Sequence, residues 1–589
     1  MNNSMMSNTK VEENQKEINL NNGFSLREKS LYHLEYDKET KTYVEQLLGR
    51  GLWIEKVSQD IENHEVSLLL KYWFKDKLNE ITISRKYLEV NELKKLLSKG
   101  VDVPDHKVKK VAKYLSIQEE EAPYEYTHEK VGWGTFENKL VYKHYQLIGS
   151  SDIQSTFSGQ LSLKPKGTLK GWKTIVENEV IGTTNLELAL TFGFSAPVVG
   201  LMSKEMDLDT LIIHLYGDTT KGKTTAVRVA AAPFGKPSDK ENGLIGTWNG
   251  TLNALIGKLA DNSGLPFILD EASMKSKTDF TSMIYTIASG SEKARMSKEA
   301  QLREQQHWTT TVISTAEHSL LEKSKKNAGL SMRVFEFGNE SWTTSASNAD
   351  ALKNGLNQHY GHAGVVFIKY LIEKGKDYIL DKWQNWSREC YNKMTSVDRL
   401  SHRIADKLAI LLTTAELVNE SLELQLSVNR ILEFLIEKEE ALIGNWDIGE
   451  KAFHYFQEKM VLHRAKFKGD HFDERSTECW GAITSKGQMY EVAILKDKFN
   501  SLMREGDFED SQIILSNWAE KGYLDKDETK RTRKRVIDKS QADFQDGRSL
   551  VYCIKVNKNI FDLSGKDSNV RERKNSSVLK TKTKNLFDE

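Results

Sequence analysis

Cysteine is scarce in this chain of 589 residues: Cys390, Cys479 and Cys553 are the only three, and they lie far apart. Their number and spacing exclude a cysteine-type zinc site and a disulfide framework, and point to a reduced, cytoplasmic setting. Proline is scarce too, at seven, which excludes a long proline-rich linker and leaves most of the chain to fold. A surplus of either charge is missing, because 84 Lys plus Arg balance 84 Asp plus Glu. A simple basic nucleic-acid-binding domain carries a large excess, so any DNA contact has to come from local basic patches. No apolar run is expected to approach the roughly 20 residues that cross a bilayer, which excludes a membrane span. The polar N-terminus is not a secretory signal. Internal repeats and His-Glu-x-x-His or comparable metal spacings are missing as well.

What is present fits a soluble globular protein, with 39% hydrophobic and 29% charged residues. The length calls for about three or four domains. Residues 1–24 are polar and read as disordered. Residues 25–150 read as a small α+β domain. It has strands at 66–74 and 80–87, a short helix capped by Asn91 and stopped by Gly100, and a second helix from Asp105 to about Leu115. Residues 131–136 read as a tight turn with an aromatic anchor. From 151 to 444, short apolar runs alternate with amphipathic helices, the mark of an α/β domain with a parallel sheet and flanking helices. Strands are expected at 211–216, 265–269 and 309–314. Residues 445–560 read as helices at 491–503 and 507–521, then a two-stranded hairpin carrying Lys530, Arg531, Arg533, Lys534 and Arg535, the outline of a winged helix. Residues 561–589 form a basic, Ser-rich tail read as disordered.

One motif is complete. Gly217-Asp218-Thr219-Thr220-Lys221-Gly222-Lys223-Thr224 fits the G-x-x-x-x-G-K-[ST] pattern, with an apolar strand before it and a helix, opening on Thr224 and Thr225, after it. Glycines let the backbone curl so that its N–H groups face phosphate oxygens, and the helix N-terminus favours negative charge. Lys223 suits the β- and γ-phosphates of ATP, and the Thr224 hydroxyl suits Mg²⁺. The strand at 265–269 ends in Asp270 and Glu271. Asp270 is expected to hold the magnesium shell and Glu271 to act as general base on the attacking water.

Further along, Lys293, Arg295 and Lys298 fit a hairpin facing a phosphate backbone, or a solvated basic loop. Ser314 and Thr315 close the next strand, where a polar side chain senses the γ-phosphate. Arg333, set between apolar neighbours, fits either a structural ion pair or an arginine lent to the next subunit's triphosphate. Arg399 and Arg403 open an amphipathic helix and are expected to reach the nucleotide within the same subunit. His214, on an apolar strand, reads as a satisfied core residue.

The ordered set of the phosphate loop, Asp270–Glu271, the Lys293–Lys298 segment, Ser314/Thr315 and Arg333 resembles the AAA+ ATPases of the MCM-like replicative helicases. In that group a hairpin touches DNA and a Ser-Arg-Phe-like motif supplies the finger; Ser331-Met332-Arg333-Val334-Phe335 is a loose version of it. Over roughly 50–555, from Trp133 through Trp248-Asn249-Gly250-Thr251 to Arg403-Ile404-Ala405-Asp406, the chain is similar to the self-loading helicases of staphylococcal cassette chromosome elements and related genomic islands. The resemblance implies a homohexameric ring that unwinds duplex DNA 3′ to 5′. Two departures stand out. The zinc-binding N-terminal domain of cellular MCM proteins is excluded by the cysteine count, and their sensor asparagine has Ser314, Thr315 or Glu317 in its place.

The reading is therefore an ATP- and Mg²⁺-dependent DNA helicase, a homo-oligomer acting on single-stranded and forked DNA to replicate a mobile element, without zinc or membrane. A translocase that does not separate strands, and an origin-binding regulator whose ATP controls oligomerisation, are its rivals.

Overall fold

The computed structural model describes residues 18–19, 23–149, 154–208, 210–272, 280–293, 305–322, 324, 328–394, 401–446, 448–469, 478–508, 510–527, 530–537 and 548–558. The side chains of Ile18, Asn19, Ala328 and Ser331 and those within 440–448 are excepted. Arg295, Lys298, Arg399 and residues 561–589 lie outside this set.

The N-terminal unit is built on two sheets. One is antiparallel, running Ile18–Asn19, Phe24–Arg27, Ser30–Asp37, Thr42–Arg50. Phe24 is 2% exposed and packs its ring, tilted, against His33 and Tyr114, so order begins before residue 25, where the sequence reading puts the boundary. The second sheet is mixed and contains Leu52–Asp60, Val66–Phe74 and Lys77–Ser84. The helix Val108–Glu121 covers it, burying Val111, Tyr114 and Leu115, and the Tyr114 hydroxyl donates to the Leu52 carbonyl at 3.0 Å. The second expected strand thus ends at Ser84, where a 3₁₀ turn (Arg85–Leu88) takes over.

Residues 131–136, expected as a turn, are a strand. Val131–Phe136 pairs with Lys139–Lys143, and Gly132 pairs with Lys143 and with Ser263 of the next unit. At φ +92°, a Cβ on Gly132 would stand 1.9 Å from the Ser263 carbonyl oxygen, so only glycine permits the approach. The hairpin side chains leave the N-terminal core: Trp133 donates to Pro197 O and Tyr142 to Gly264 O, both within the large central core.

That core surrounds α1 (Thr184–Met202), a 19-residue helix long and apolar enough by length and composition to cross a membrane. It corrects the expectation that no run approaches that length. Nearly all its side chains are buried in the protein, including Leu190, Phe192 and Phe194, and a helix packed on every side is apolar on every side. Against it lies a five-stranded, wholly parallel sheet, in chain order β1 (Thr210–Tyr216), β2 (Ile245–Thr247), β3 (Phe267–Asp270), β4 (Thr310–Ala316) and β5 (Val334–Gly338). Its spatial order is β2-β3-β4-β1-β5. The helices of the unit include α2 (Lys223–Ala231), α3 (Thr281–Ala288), α4 (Ala346–Leu356), α5 (Ser401–Leu422) and α6 (Val428–Trp446).

In the C-terminal unit, α7 (Lys496–Glu505) and α8 (Ser511–Glu520) pack on a sheet that includes Met489–Leu495, Arg548–Asn557 and a flanking strand, β6 (Arg533–Val536). Residues 491–495, read as helix from the sequence, are strand: Val492, Ala493 and Ile494 are buried between two antiparallel partners, and the sheet overrides the helical pattern. Asp510 caps α8, accepting the N–H groups of Gln512 and Ile513.

Candidate active site

Parallel strands place their C-terminal ends on one edge, where crevices form. Here β1, β3 and β4 end around a cleft of about 800 Å³ lined by Thr219 to Thr225, Asp270, Glu271, Thr315 and Glu317. The loop from β1 to α2 turns through left-handed residues at Thr220 (φ +72°) and Gly222 (φ +78°). A Cβ at Gly222 would stand 2.6 Å from Thr343 Oγ1, so glycine is required there. Lys223 Nζ donates to the carbonyls of Gly217 (2.8 Å) and Asp218 (2.7 Å). Burial pushes its pKa down, while Glu317, Asp270 and Asp218, in that order, pull it back.

Asp270 is the hub. Its Oδ2 accepts Thr224 Oγ1 at 3.1 Å, its Oδ1 accepts the Thr315 hydroxyl, and Thr315 Oγ1 also accepts the backbone N–H of Glu271 at 3.1 Å. Glu271 holds a left-handed backbone (φ +61°) with an exposed side chain. A non-glycine residue pays local strain for that conformation, and such strain gathers at functional sites.

Ser314, expected beside Thr315, does not reach the cleft. It is fully buried, its Oγ within 3.0 Å of His214 Nδ1 and 3.1 Å from the donating Trp248 Nε1. His214 bonds the His318 carbonyl with its other nitrogen, and burial pushes its pKa down to about 4. It is the satisfied core histidine the sequence suggests.

Arg333 and Arg403 lie elsewhere. Since Ile212 of β1 pairs in parallel with Val334 of β5, Arg333 sits at the N-terminal edge of the sheet, roughly 20 Å along the strands from the phosphate loop at about 3.3 Å per residue. Its guanidinium lies 4.6 Å from the Tyr285 ring centre and donates to Gly329 O. Arg403, expected to reach the same subunit's nucleotide, instead lines a cavity of about 410 Å³ with Arg333 and Lys407. Lys407 donates to the Met332 carbonyl. Burial, then repulsion from Arg333 and Arg403, pushes Lys407 down to about 8, and burial pushes the nearby Glu439 up to about 8.

The base of the expected basic hairpin is present: Trp308 N–H donates to Gly290 O, Glu292 N–H to Gln306 O, and Ser291 pairs antiparallel with His307. Lys293 is exposed at its upper end; Arg295 and Lys298 lie outside the described residues. In the C-terminal unit, Arg531 is tied to Gln512 and Ser516 of α8, and Arg533 to Asp525 and Asp527. Lys534 is exposed. The sequence reading assigned no role to Asp350 or Thr343, both of which line the cleft. Ser345, the N-cap of α4, was their one local signal.

Residues 24–307 match the family described as "Domain of unknown function (DUF927)", and residues 447–559 match the "Cch helix turn helix domain". No curated protein matches the chain. Among solved structures, "SCCmec type IV Cch - active helicase" is similar at a TM-score of 0.73 and 23% identity, covering 92% of this chain and 98% of that one. An apo structure of the NrS-1 C-terminal region aligns over 85% of this chain and 95% of that one, at a TM-score of 0.26 and 11% identity, a level that carries no argument. The first likeness extends to the whole architecture: the chain has the fold of the Cch structure.

Proposed function

We propose that the protein is an ATP-driven DNA helicase with an AAA+ core and a C-terminal winged helix, working as a hexameric ring in the replication of a mobile element. The observation that carries the reading is the convergence of Lys223, Thr224, Asp270 and Glu271 in one cleft at the C-terminal ends of a parallel sheet. The fold it shares with a protein titled an active helicase supports the choice among ATPases. The 3′-to-5′ polarity is taken from the MCM-like resemblance.

Residues Gly217 to Thr225 cradle the triphosphate, and Lys223 exchanges two backbone carbonyls for phosphate oxygens. Magnesium fits the site: a threonine hydroxyl bonded to a carboxylate offers the hard oxygen ligands it takes. When bound it neutralises phosphate charge, with Thr224 and Asp270 holding it. Glu271 takes a proton from the attacking water. Thr315 holds Asp270 and the Glu271 backbone in place. Arg333, too far from its own cleft, serves the neighbouring subunit's, and Arg403 approaches from the same side. Lys293, Arg295 and Lys298 face DNA in the channel, and the wing carrying Lys534, braced by Arg531 and Arg533, meets the duplex.

ATPase stimulation by single-stranded DNA, followed by a forked-duplex unwinding assay, tests the proposal. Stimulated hydrolysis without unwinding identifies a translocase, and DNA-indifferent hydrolysis favours the regulator.

A further inference from the structure

We infer that Tyr285 is a positioning residue: its ring holds Arg333 for the neighbouring subunit's triphosphate and ties it to the base of the basic hairpin. The inference rests on the roles proposed above for Arg333 and that hairpin. The Tyr285 ring, on α3, lies 4.6 Å from the Arg333 guanidinium, which also donates to the Gly329 carbonyl of its own turn. Among the described residues, no carboxylate lies within ion-pair distance of that guanidinium. The structural ion pair that the sequence leaves open for Arg333 is therefore not formed among them. A paired carboxylate would cancel the charge that a triphosphate needs, whereas an aromatic face attracts a cation and leaves its charge intact.

The main chain around Arg333 is fixed: its N–H donates to Leu330 O at 2.9 Å, and Lys407 donates to Met332 O. With the backbone held, the ring sets where the guanidinium points. The Tyr285 hydroxyl has no hydrogen-bond partner among the described residues, so the aromatic face, and not the hydroxyl, carries the role. The helix that presents it runs straight into the hairpin base. Trp308, which is buried, donates from its indole to the Ile287 carbonyl at 2.9 Å and from its backbone to Gly290 O at 2.8 Å. Ser289 Oγ donates to the Thr286 carbonyl at 2.8 Å, and Glu292 N–H to Gln306 O at 2.9 Å. The last turn of α3 and the two arms of the hairpin base are thus fastened as one piece.

A cavity of about 700 Å³ is lined by Tyr285, Ser291, Glu292, Lys293 and Gln305 of that piece and by Arg333. A DNA strand that displaces the hairpin therefore moves α3, and the Tyr285 ring carries the displacement to Arg333. The contact gives DNA a route from one subunit's hairpin to the next subunit's ATP, which a packing tyrosine would not provide.

The test mixes full-length chains and reads ATP hydrolysis with and without single-stranded DNA. Lys223→Ala supplies fingers, Arg333→Ala supplies clefts, and their equimolar mixture is the reference. Tyr285→Leu added to the Lys223→Ala chain should lower the DNA-stimulated rate by about 3- to 30-fold, the range a ring–cation contact supports. The ratio of stimulated to unstimulated rate should fall with it. Added instead to the Arg333→Ala chain, which has no guanidinium to position, the same substitution should leave the mixture within about twofold of the reference. Tyr285→Phe keeps the ring and should restore the first mixture. Equal losses in the two mixtures, or no loss in either, overturn the inference in favour of a packing residue. A Phe variant that loses as much as the Leu variant overturns it too, and a loss at an unchanged stimulation ratio overturns the link to the hairpin. A reference mixture without activity, beside an active parent, removes the trans role of Arg333 and this inference with it; a parent that does not hydrolyse ATP removes the ATPase reading.

Discussion

Replacing Glu336 with glutamine is expected to flatten the protein's stability between pH 5 and 8. Glu336 is 6% exposed on β5, and burial pushes its carboxyl from 4.5 up to about 7. The Ser319 hydroxyl and the N–H groups of Leu321 and Leu320 oppose that rise, and Glu322 adds to it. A carboxyl with a raised folded-state pKa contributes stability that is fully present below its unfolded value, near 4.5, and is lost as pH rises through about 7. At about 1.4 kcal/mol per pH unit, the loss is about 3 kcal/mol at most. Glutamine does not titrate, yet keeps a carbonyl oxygen for Leu320 and Leu321 and an amide to face Ser319. Urea unfolding followed by tryptophan fluorescence at pH 5, 6, 7 and 8 measures the effect as the difference between variant and parent, so that groups common to both cancel. The variant should gain on the parent as pH rises. Parallel pH profiles would show that Glu336 stays ionised in the folded state, and the argument from burial would be wrong.

Glu271→Gln should keep ATP affinity and lose turnover by about 100-fold or more, read by nucleotide titration beside a phosphate-release assay; hydrolysis at the parental rate removes Glu271 from the mechanism. Lys407→Met removes a charged hydrogen bond to the Met332 carbonyl but also relieves a desolvated ammonium. Stability should therefore move by only about 1–2 kcal/mol while kcat falls with KM unchanged, as thermal melts and steady-state kinetics will report. On β6, Lys534→Ala should weaken duplex binding and lower the salt slope by about one, measured by fluorescence anisotropy over a salt series. Arg533→Ala breaks the contacts to Asp525 and Asp527 and should lower the melting temperature of the C-terminal unit instead.

The phosphate loop and the acidic strand end were legible because their chemistry is written in contiguous residues: Gly217 to Thr224, and Asp270 with Glu271. Other features depend on what the chain brings together from afar. Nothing local to Ser314 and Thr315 indicates that one hydroxyl is taken by His214 and Trp248 while the other bonds Asp270. Arg403 was assigned to the wrong end of the sheet because helical periodicity shows which face of α5 is apolar, not which strand ends that helix approaches. The run Glu491 to Leu495 suits either period, and its two strand partners decided for the sheet. In the segment 184–202, Thr184, Asn185, Glu187 and Thr191 interrupt the apolar pattern; the structure buries Glu187 and Thr191.

Charge supplies the argument for assembly. Among the described residues, the cleft is lined by two cations, Lys221 and Lys223, against four carboxylates, Asp270, Glu271, Glu317 and Asp350. A triphosphate entering it meets net repulsion that one magnesium ion only partly offsets. At the other end of the same sheet, Arg333, Arg403 and Lys407 share a cavity with two carboxylates, Asp207 and Asp406. Opposite imbalances on two separate faces of one chain suit a head-to-tail contact, which closes into a ring or continues as a filament. Mixing two inactive variants tests this. Lys223→Ala lacks a working cleft and Arg333→Ala lacks the finger, so neither alone should hydrolyse ATP. In an equimolar mixture about a quarter of head-to-tail junctions join an intact cleft to an intact finger, and activity should return to about that fraction of the parent's. If both residues served one site within a single chain, mixing would restore nothing, and an inactive mixture that still forms rings would refute the trans arrangement.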